Sequence, residues 1–340
     1  MRVFIPILFL ISFLFLSNEW LSSPTLVVSE DTPVAQVLLE LGDQPADHLP
    51  DLSIEGVSVE VGRDIVQKGV ARKPHGGKTN KQSNHFVCTS CHNIQREDPD
   101  LSVVDPQARL EYVRDHGLPF LQGTTLYGAV NRTSFYNGDY EKKYGDLVKP
   151  ARNNLREAIQ LCAVECSQGQ ALEPWEMESV LAYLWTIELK LKDLNIDQRE
   201  LNKINQALQQ NSMAVETIKM IKSKYLAGSP ATFVTPPDDR KEGYPLKGNA
   251  ENGKLIYDLS CLHCHENERY SFFELDSSRY SFQFLEHHLP RYTRYSVYQV
   301  ARWGTSPIPG KMAYMPNYTK EKMSDQQLED LRAYIHKMSK

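Results

Sequence analysis

Apolar residues recur along this chain at three- and four-residue steps, the period of a helix with one buried stripe. The clearest stripe is Met177, Val180, Leu181, Leu184, Ile187 and Leu191. Pro174 stands near its start, Glu173, Glu176 and Glu178 near the positive end of its dipole, and Lys190 and Lys192 at the other end. A second stripe, Leu328, Leu331, Ile335 and Met338, follows a full start signal. There Ser324 and Gln327 form a capping box, and Met323 and Leu328 a staple. A third run, Leu201, Ile204, Leu208, then Val215, Ile218 and Ile221, breaks at Asn211-Ser212. Shorter helices are expected near 35–41, 62–69, 153–164, 249–259 and 297–303. These periods predict an all-α protein.

The polar and proline-rich stretches divide these runs. Residues 1–23 carry Arg2 and then an apolar segment over 3–16, the form of a signal peptide or N-terminal anchor. Pro24, Pro33, Pro45 and Pro50 mark 24–56 as an extended segment. Residues 73–84 read as a polar loop, and 92–156, rich in Tyr, Asn and Gly, as a long loop. Gly228-Ser-Pro and Pro236-Pro237 mark a linker closing a helical connector over 196–247. Two domains remain, 57–195 and 248–340. The net charge of -5 without a basic run makes nucleic acid a poor partner.

Each domain holds one copy of a pentapeptide: Cys88-Thr-Ser-Cys91-His92 and Cys261-Leu-His-Cys264-His265. C-x-x-C-H is the attachment sequence of c-type haem. Two thiols about a helical turn apart can add across the two vinyl groups of one porphyrin. The histidine that follows then presents its imidazole to the iron. A redox dithiol or half a zinc site would also contain C-x-x-C, but two copies in one exported chain favour covalent haem. The expected fold is therefore two cytochrome c-type haem domains joined by the connector and linker, with two covalently bound haem c as cofactors. His263, inside the second pentapeptide, is expected to face solvent. His48, His75, His85, His287, His288 and His336 show no ligand spacing.

The far side of each iron separates the halves. In the second, Met315-Pro316 precedes the capped last helix, with Met312 and Met323 as lesser candidates. In this respect 248–340 resembles the class I monohaem cytochromes c, which implies Met315 as distal ligand. The first half has no methionine between His92 and Glu176, leaving Cys162, Cys166, His116, a lysine or an open position. Cys162 and Cys166 could instead pair as a disulfide, strained within a regular helix.

Cys162-Ala-Val-Glu-Cys166-Ser-Gln-Gly169 resembles the Cys-x-x-x-Ser-x-x-Gly segment of dihaem thiosulfate dehydrogenases and the related haem-bearing sulfur-oxidation subunit. Cys166 stands in place of the Ser, and Ala158 in place of the family arginine, with Arg152 and Arg156 nearby. The resemblance implies Cys162 as distal ligand, and as catalytic residue if the protein is an enzyme. Three functions follow as expectations. The first is periplasmic electron transfer, from the first haem to the second and on to a small cytochrome or an oxidase. The second is oxidation of a small sulfur anion at Cys162 beside Arg152 or Arg156. The third is a dihaem peroxidase, whose Phe-x-Asp-x-Arg stretch is absent ahead of Cys88.

Overall fold

The computed structural model describes residues 28–210, 214–306 and 314–340. The leader expected over 1–23, the break at Asn211-Ser212 and Met312 lie outside the described residues. Thirteen α-helices are found among those described, with isolated bridges but no sheet. They are α1 (Val34–Glu40), α2 (Val59–Lys68), α3 (Pro106–Asp115), α4 (Tyr140–Tyr144), α5 (Leu155–Leu161), α6 (Pro174–Thr186) and α7 (Gln198–Gln210). They continue as α8 (Ala214–Lys222), α9 (Ala250–Ile256), α10 (Leu262–His265), α11 (Arg279–His288), α12 (Val297–Trp303) and α13 (Asp325–Ser339). Among the described residues no helix is long and apolar enough to cross a membrane.

Two helix crossings organise the chain, and each depends on a glycine. Helix α2 crosses α6 so closely that a Cβ at Gly62 would lie 1.8 Å from the carbonyl oxygen of Ser179. Helix α9 crosses α13 in the same manner, and a Cβ at Gly253 would lie 1.9 Å from the oxygen of Asp330. Neither contact leaves room for a side chain, so backbone meets backbone. Ile65 and Val66 of α2 pack with Val180, Leu181 and Leu184 of α6. Ile256 and Tyr257 pack with Leu328, Leu331 and Ile335 of α13 and with Phe282 and Leu285 of α11. A third apolar cluster joins α1, α7 and α8 through Val34, Val37, Ile204 and Ile221.

Several expectations are met at atomic detail. Ser324 Oγ accepts from Gln327 N at 3.1 Å while Ser324 N donates to Gln327 Oε1 at 2.9 Å. Helix α12 begins and ends where its pattern placed it. The long stripe from Met177, however, leaves the helix at Thr186. Gly128 N captures the Ile187 carbonyl at 2.9 Å, and Asn131 Oδ1 accepts from Leu189 N at 2.8 Å. Leu189 and Leu191 therefore turn into the α1–α7–α8 cluster.

The region 92–156, expected as a loop, contains α3, and this is a correction. Asp105 accepts from Gln107 N and Ala108 N at 2.9 and 3.0 Å, and Pro106 occupies the first helical position. Leu110 and Val113, both fully buried, join the core of α9, α11 and α13. The linker after α8 is extended but tied down. Thr232 N donates to Glu321 Oε2 at 2.8 Å, and Arg240 lies over the Tyr292 ring at 3.8 Å.

Candidate functional site

The first pentapeptide starts as a 3₁₀ turn over Cys88–Ser90, closed by Cys91 N to Cys88 O at 3.2 Å. His92 N also bonds to Cys88 O, at 3.0 Å, so the imidazole leaves the turn in a fixed direction. Its Nδ1 meets Thr124 O at 2.6 Å. The segment carrying that carbonyl passes over the ring edge because residue 123 is glycine. A Cβ there would stand 2.5 Å from His92 Cε1. With Nδ1 engaged by a backbone acceptor, Nε2 is the nitrogen left for a metal.

The carbonyl is itself anchored. Thr125 N donates to Glu97 Oε1 at 3.1 Å, and Glu97 Oε2 accepts from Arg109 and from Asn93 at 3.2 and 3.0 Å. Lys322 Nζ reaches Glu97 Oε1 at 3.0 Å from the far end of the chain. Glu97 is completely buried and Arg109 is 1% exposed. Burial drives the Glu97 carboxyl upward, but Arg109, Lys322 and the Asn93 bond outweigh it, leaving the group well below the usual carboxylate range.

The second pentapeptide continues from α9. A wide turn over Tyr257–Cys261, closed by a bond from Leu262 N to Tyr257 O, hands the chain to α10. His265 Nδ1 meets Phe273 O at 2.7 Å, again sparing Nε2. Burial holds both imidazoles below their ordinary pKa, so both are neutral. The same burial pushes the Cys88 thiol up to about 11 and those of Cys261 and Cys264 to about 12. Thiols raised in this way are poor nucleophiles at neutral pH. His263, expected in solvent, is instead half-buried beside Tyr270, with ring centroids 5.7 Å apart, and desolvation lowers its pKa to about 4. The backbone turns it inward with α10.

Cys261, Cys264 and His265 line one apolar cleft together with Met315, Phe273 and Tyr318. Its empty space, open mouth included, is about 1230 Å³. Met315 is held by paired bonds with Thr305: Met315 N to Thr305 Oγ1 at 2.8 Å and Thr305 N to Met315 O at 2.9 Å. Gly304, at φ 70°, permits this approach, since a Cβ would fall 2.5 Å from Met315 O. Met323 also lines the cleft but is 2% exposed in the core beneath it. Cys91 and Ser90 line the same cleft, so the two pentapeptides are neighbours.

The residues present fit a covalently held porphyrin. Each pentapeptide offers paired thiols and an imidazole oriented through Nδ1, beside apolar walls. Among the described residues no group of three or more His, Cys, Asp or Glu side chains could hold a metal ion alone. A zinc centre needs three or four such ligands.

Cys162 and Cys166 lie in a second wide turn, with Ser167 N bonded to Cys162 O at 2.8 Å. This is not the regular helix expected. The turn is clamped to the approach of the first pentapeptide: Gln82 Nε2 donates to Ala163 O at 2.8 Å and Ser83 Oγ to Ser167 O at 2.5 Å. Gly169 lets that contact close, since a Cβ would sit 2.2 Å from Gln82 O. Both cysteines are free, with thiols in hydrogen-bonding reach of each other. That bond raises the Cys162 thiol, as burial does, and lowers Cys166, helped by the Tyr136 and Tyr314 hydroxyls against burial.

The tyrosines are the residues that sequence reasoning missed. Tyr136 Oη lies 3.8 Å from Cys166 Sγ, and Tyr314 Oη donates to Cys166 O at 2.7 Å. Other candidates fall elsewhere. His116 is exposed, bonded to Tyr112 O at 2.8 Å and stacked on that ring. Arg152 pairs with Glu141 at 3.0 Å, and Arg156 holds Glu178 at 2.7 and 2.8 Å. Both arginines, expected beside Cys162, are thus committed to carboxylates. His48 is a satisfied core histidine, with Nε2 2.7 Å from Val130 O.

Compared with known proteins, the chain matches no protein-family model, no curated protein and no solved structure, so its site is read from its own geometry.

Proposed function

We propose that this chain is a dihaem c-type cytochrome that moves electrons outside the cytoplasm, with one haem domain around each pentapeptide. One observation carries this reading above the others. Both histidines that follow the paired thiols engage a backbone carbonyl through Nδ1, Thr124 O and Phe273 O, and keep Nε2 free. When bound, haem supplies the one-electron couple.

The chain's own residues do the rest. Cys88 and Cys91, then Cys261 and Cys264, would anchor the two rings, and His92 and His265 would fix their orientation. Tyr257, Phe273 and Leu285 line the second site and would keep water from it, and Met315, in the same cleft, would help hold the iron through its thioether. With both groups bound, they would supply the couples for outer-sphere transfer from the first site to the second and on to a small cytochrome or an oxidase. The Met315 thioether would raise the potential of the second, which would set that direction.

Mass spectrometry of the exported protein, made with a haem-attachment system, tests this. Two haem additions are expected, falling to one in Cys261→Ser/Cys264→Ser and to one in Cys88→Ser/Cys91→Ser. An unmodified wild-type mass would end the proposal.

A second reading draws on the Cys162–Cys166 turn, which Gln82 and Ser83 clamp to the approach of the first pentapeptide. In that reading Cys162 would help hold the iron of the first site, which would supply the oxidising couple for a small sulfur anion. Loss of thiosulfate oxidation in Cys162→Ser, with both haems retained, would select it over pure electron transfer.

A further inference from the structure

The wide turn at 162–166 carries two thiols that haem attachment does not use. They are four residues apart, within hydrogen-bonding reach of each other and half-buried. Their turn is closed by a five-residue bond and is therefore wider than the regular helix in which such a bridge is strained. It is held from outside by Gln82, Ser83 and Tyr314, so its position does not depend on the helical ladder. We propose that Cys162 and Cys166 form a reversible disulfide, a thiol switch set against the first pentapeptide. Only its consequence rests on the proposed function. In the reduced form a cysteine sulfur is available to the far side of the first site; in the bridged form it is not.

The oxidant is a small-molecule or protein disulfide, R–S–S–R. Cys166, having lost its proton, attacks one sulfur, forming a mixed disulfide and releasing one thiolate. Cys162, losing its proton in turn, attacks the Cys166 sulfur and expels the second thiolate. The two protons end on the two released thiols. Two protein thiols and one disulfide thus become one protein disulfide and two R–SH, and reduction runs through the same steps in reverse.

Residues 157–190 form a single tryptic peptide, bounded by Arg156 and Lys190, that contains both cysteines. The purified holoprotein is incubated with oxidised glutathione or with dithiothreitol, denatured in iodoacetamide, digested and weighed. After dithiothreitol the peptide should carry two labels. After oxidised glutathione it should carry none and be lighter by two hydrogens, and dithiothreitol should then restore both labels. Cys162→Ser, which leaves the attacking Cys166 without its resolving partner, should take one label in the reduced state and retain a glutathione adduct in the oxidised state. Two labels under both conditions, or adducts in the wild type that never resolve, would overturn the switch. Haem mass on the same sample separates the two claims. Two haems with unresponsive cysteines defeat only the switch, whereas switching cysteines without haem defeat only the cytochrome reading.

Discussion

The two C-x-x-C-H regions share a pentapeptide and arrive at it by different routes. In the second, α9 runs through the wide turn at Tyr257–Cys261 directly into the thiols and α10. The crossing glycine, the cysteines and the imidazole form one continuous helical stretch. In the first, α2 stops at Gly69, whose φ of 67° ends the helix, and the chain folds through 70–87 before reaching Cys88. A wide turn is present there too, but after the thiols, at 162–166, where it delivers two further cysteines. The surroundings diverge accordingly: a thioether in an apolar cleft at one site, and thiols among tyrosine hydroxyls at the other. On the proposed reading, equivalent attachment in unlike surroundings would let one chain hold two cofactors at different potentials.

The bond between the regions is the buried Glu97, fixed by Arg109 and Lys322, and its removal should have the largest effect on stability. Glu97→Gln leaves the buried Arg109 and the partly buried Lys322 without their anion, a loss of about 3–5 kcal/mol, read by denaturant unfolding. The same group sets an acid limit. Its pKa is depressed on folding, so its contribution is present above the unfolded value, about 4.3, and is lost as pH falls toward the folded value. Wild-type stability should therefore drop below about pH 5, and Glu97→Gln should flatten that drop; an unchanged acid profile would show that the tether carries no such load.

The crossings come next. Gly62→Ala and Gly253→Ala each force a methyl onto a carbonyl oxygen, at a cost of about 1–3 kcal/mol. Similar losses in thermal unfolding would show that the two crossings are equivalent in energy as well as in geometry. A loss confined to one would break the parallel. The smallest effect is expected from Asp105→Ala, about 1 kcal/mol for a helix cap. Because α3 packs on the second core, hydrogen exchange should quicken around α9 and α13 rather than around α2 and α6. Faster exchange at α6 instead would assign α3 to the wrong half.

Much of this architecture was legible in the residues. Both pentapeptides, the Ser324–Gln327 cap and the α12 boundaries follow from local chemistry, and local chemistry is what a sequence records. Helix α3 was legible as well, since Asp105-Pro106 followed by Leu110 and Val113 is a start signal with a short stripe, but the Tyr, Asn and Gly around it pointed to a loop. What could not be read was contact between distant positions. Nothing near Arg156 announces Glu178, and nothing near Cys166 announces a hydroxyl from residue 314. The wide turns were hidden for another reason: a five-residue closure leaves the apolar period of the flanking helix unchanged.

Tyr314 and Met315 are consecutive and both line the cleft with His265, yet Tyr314 also bonds to the cysteine turn. A single rigid peptide plane therefore lies between two chemically distinct neighbourhoods. The 162–166 backbone is thus tied through the Tyr314 hydroxyl to the residue next to Met315, whose own backbone Thr305 holds.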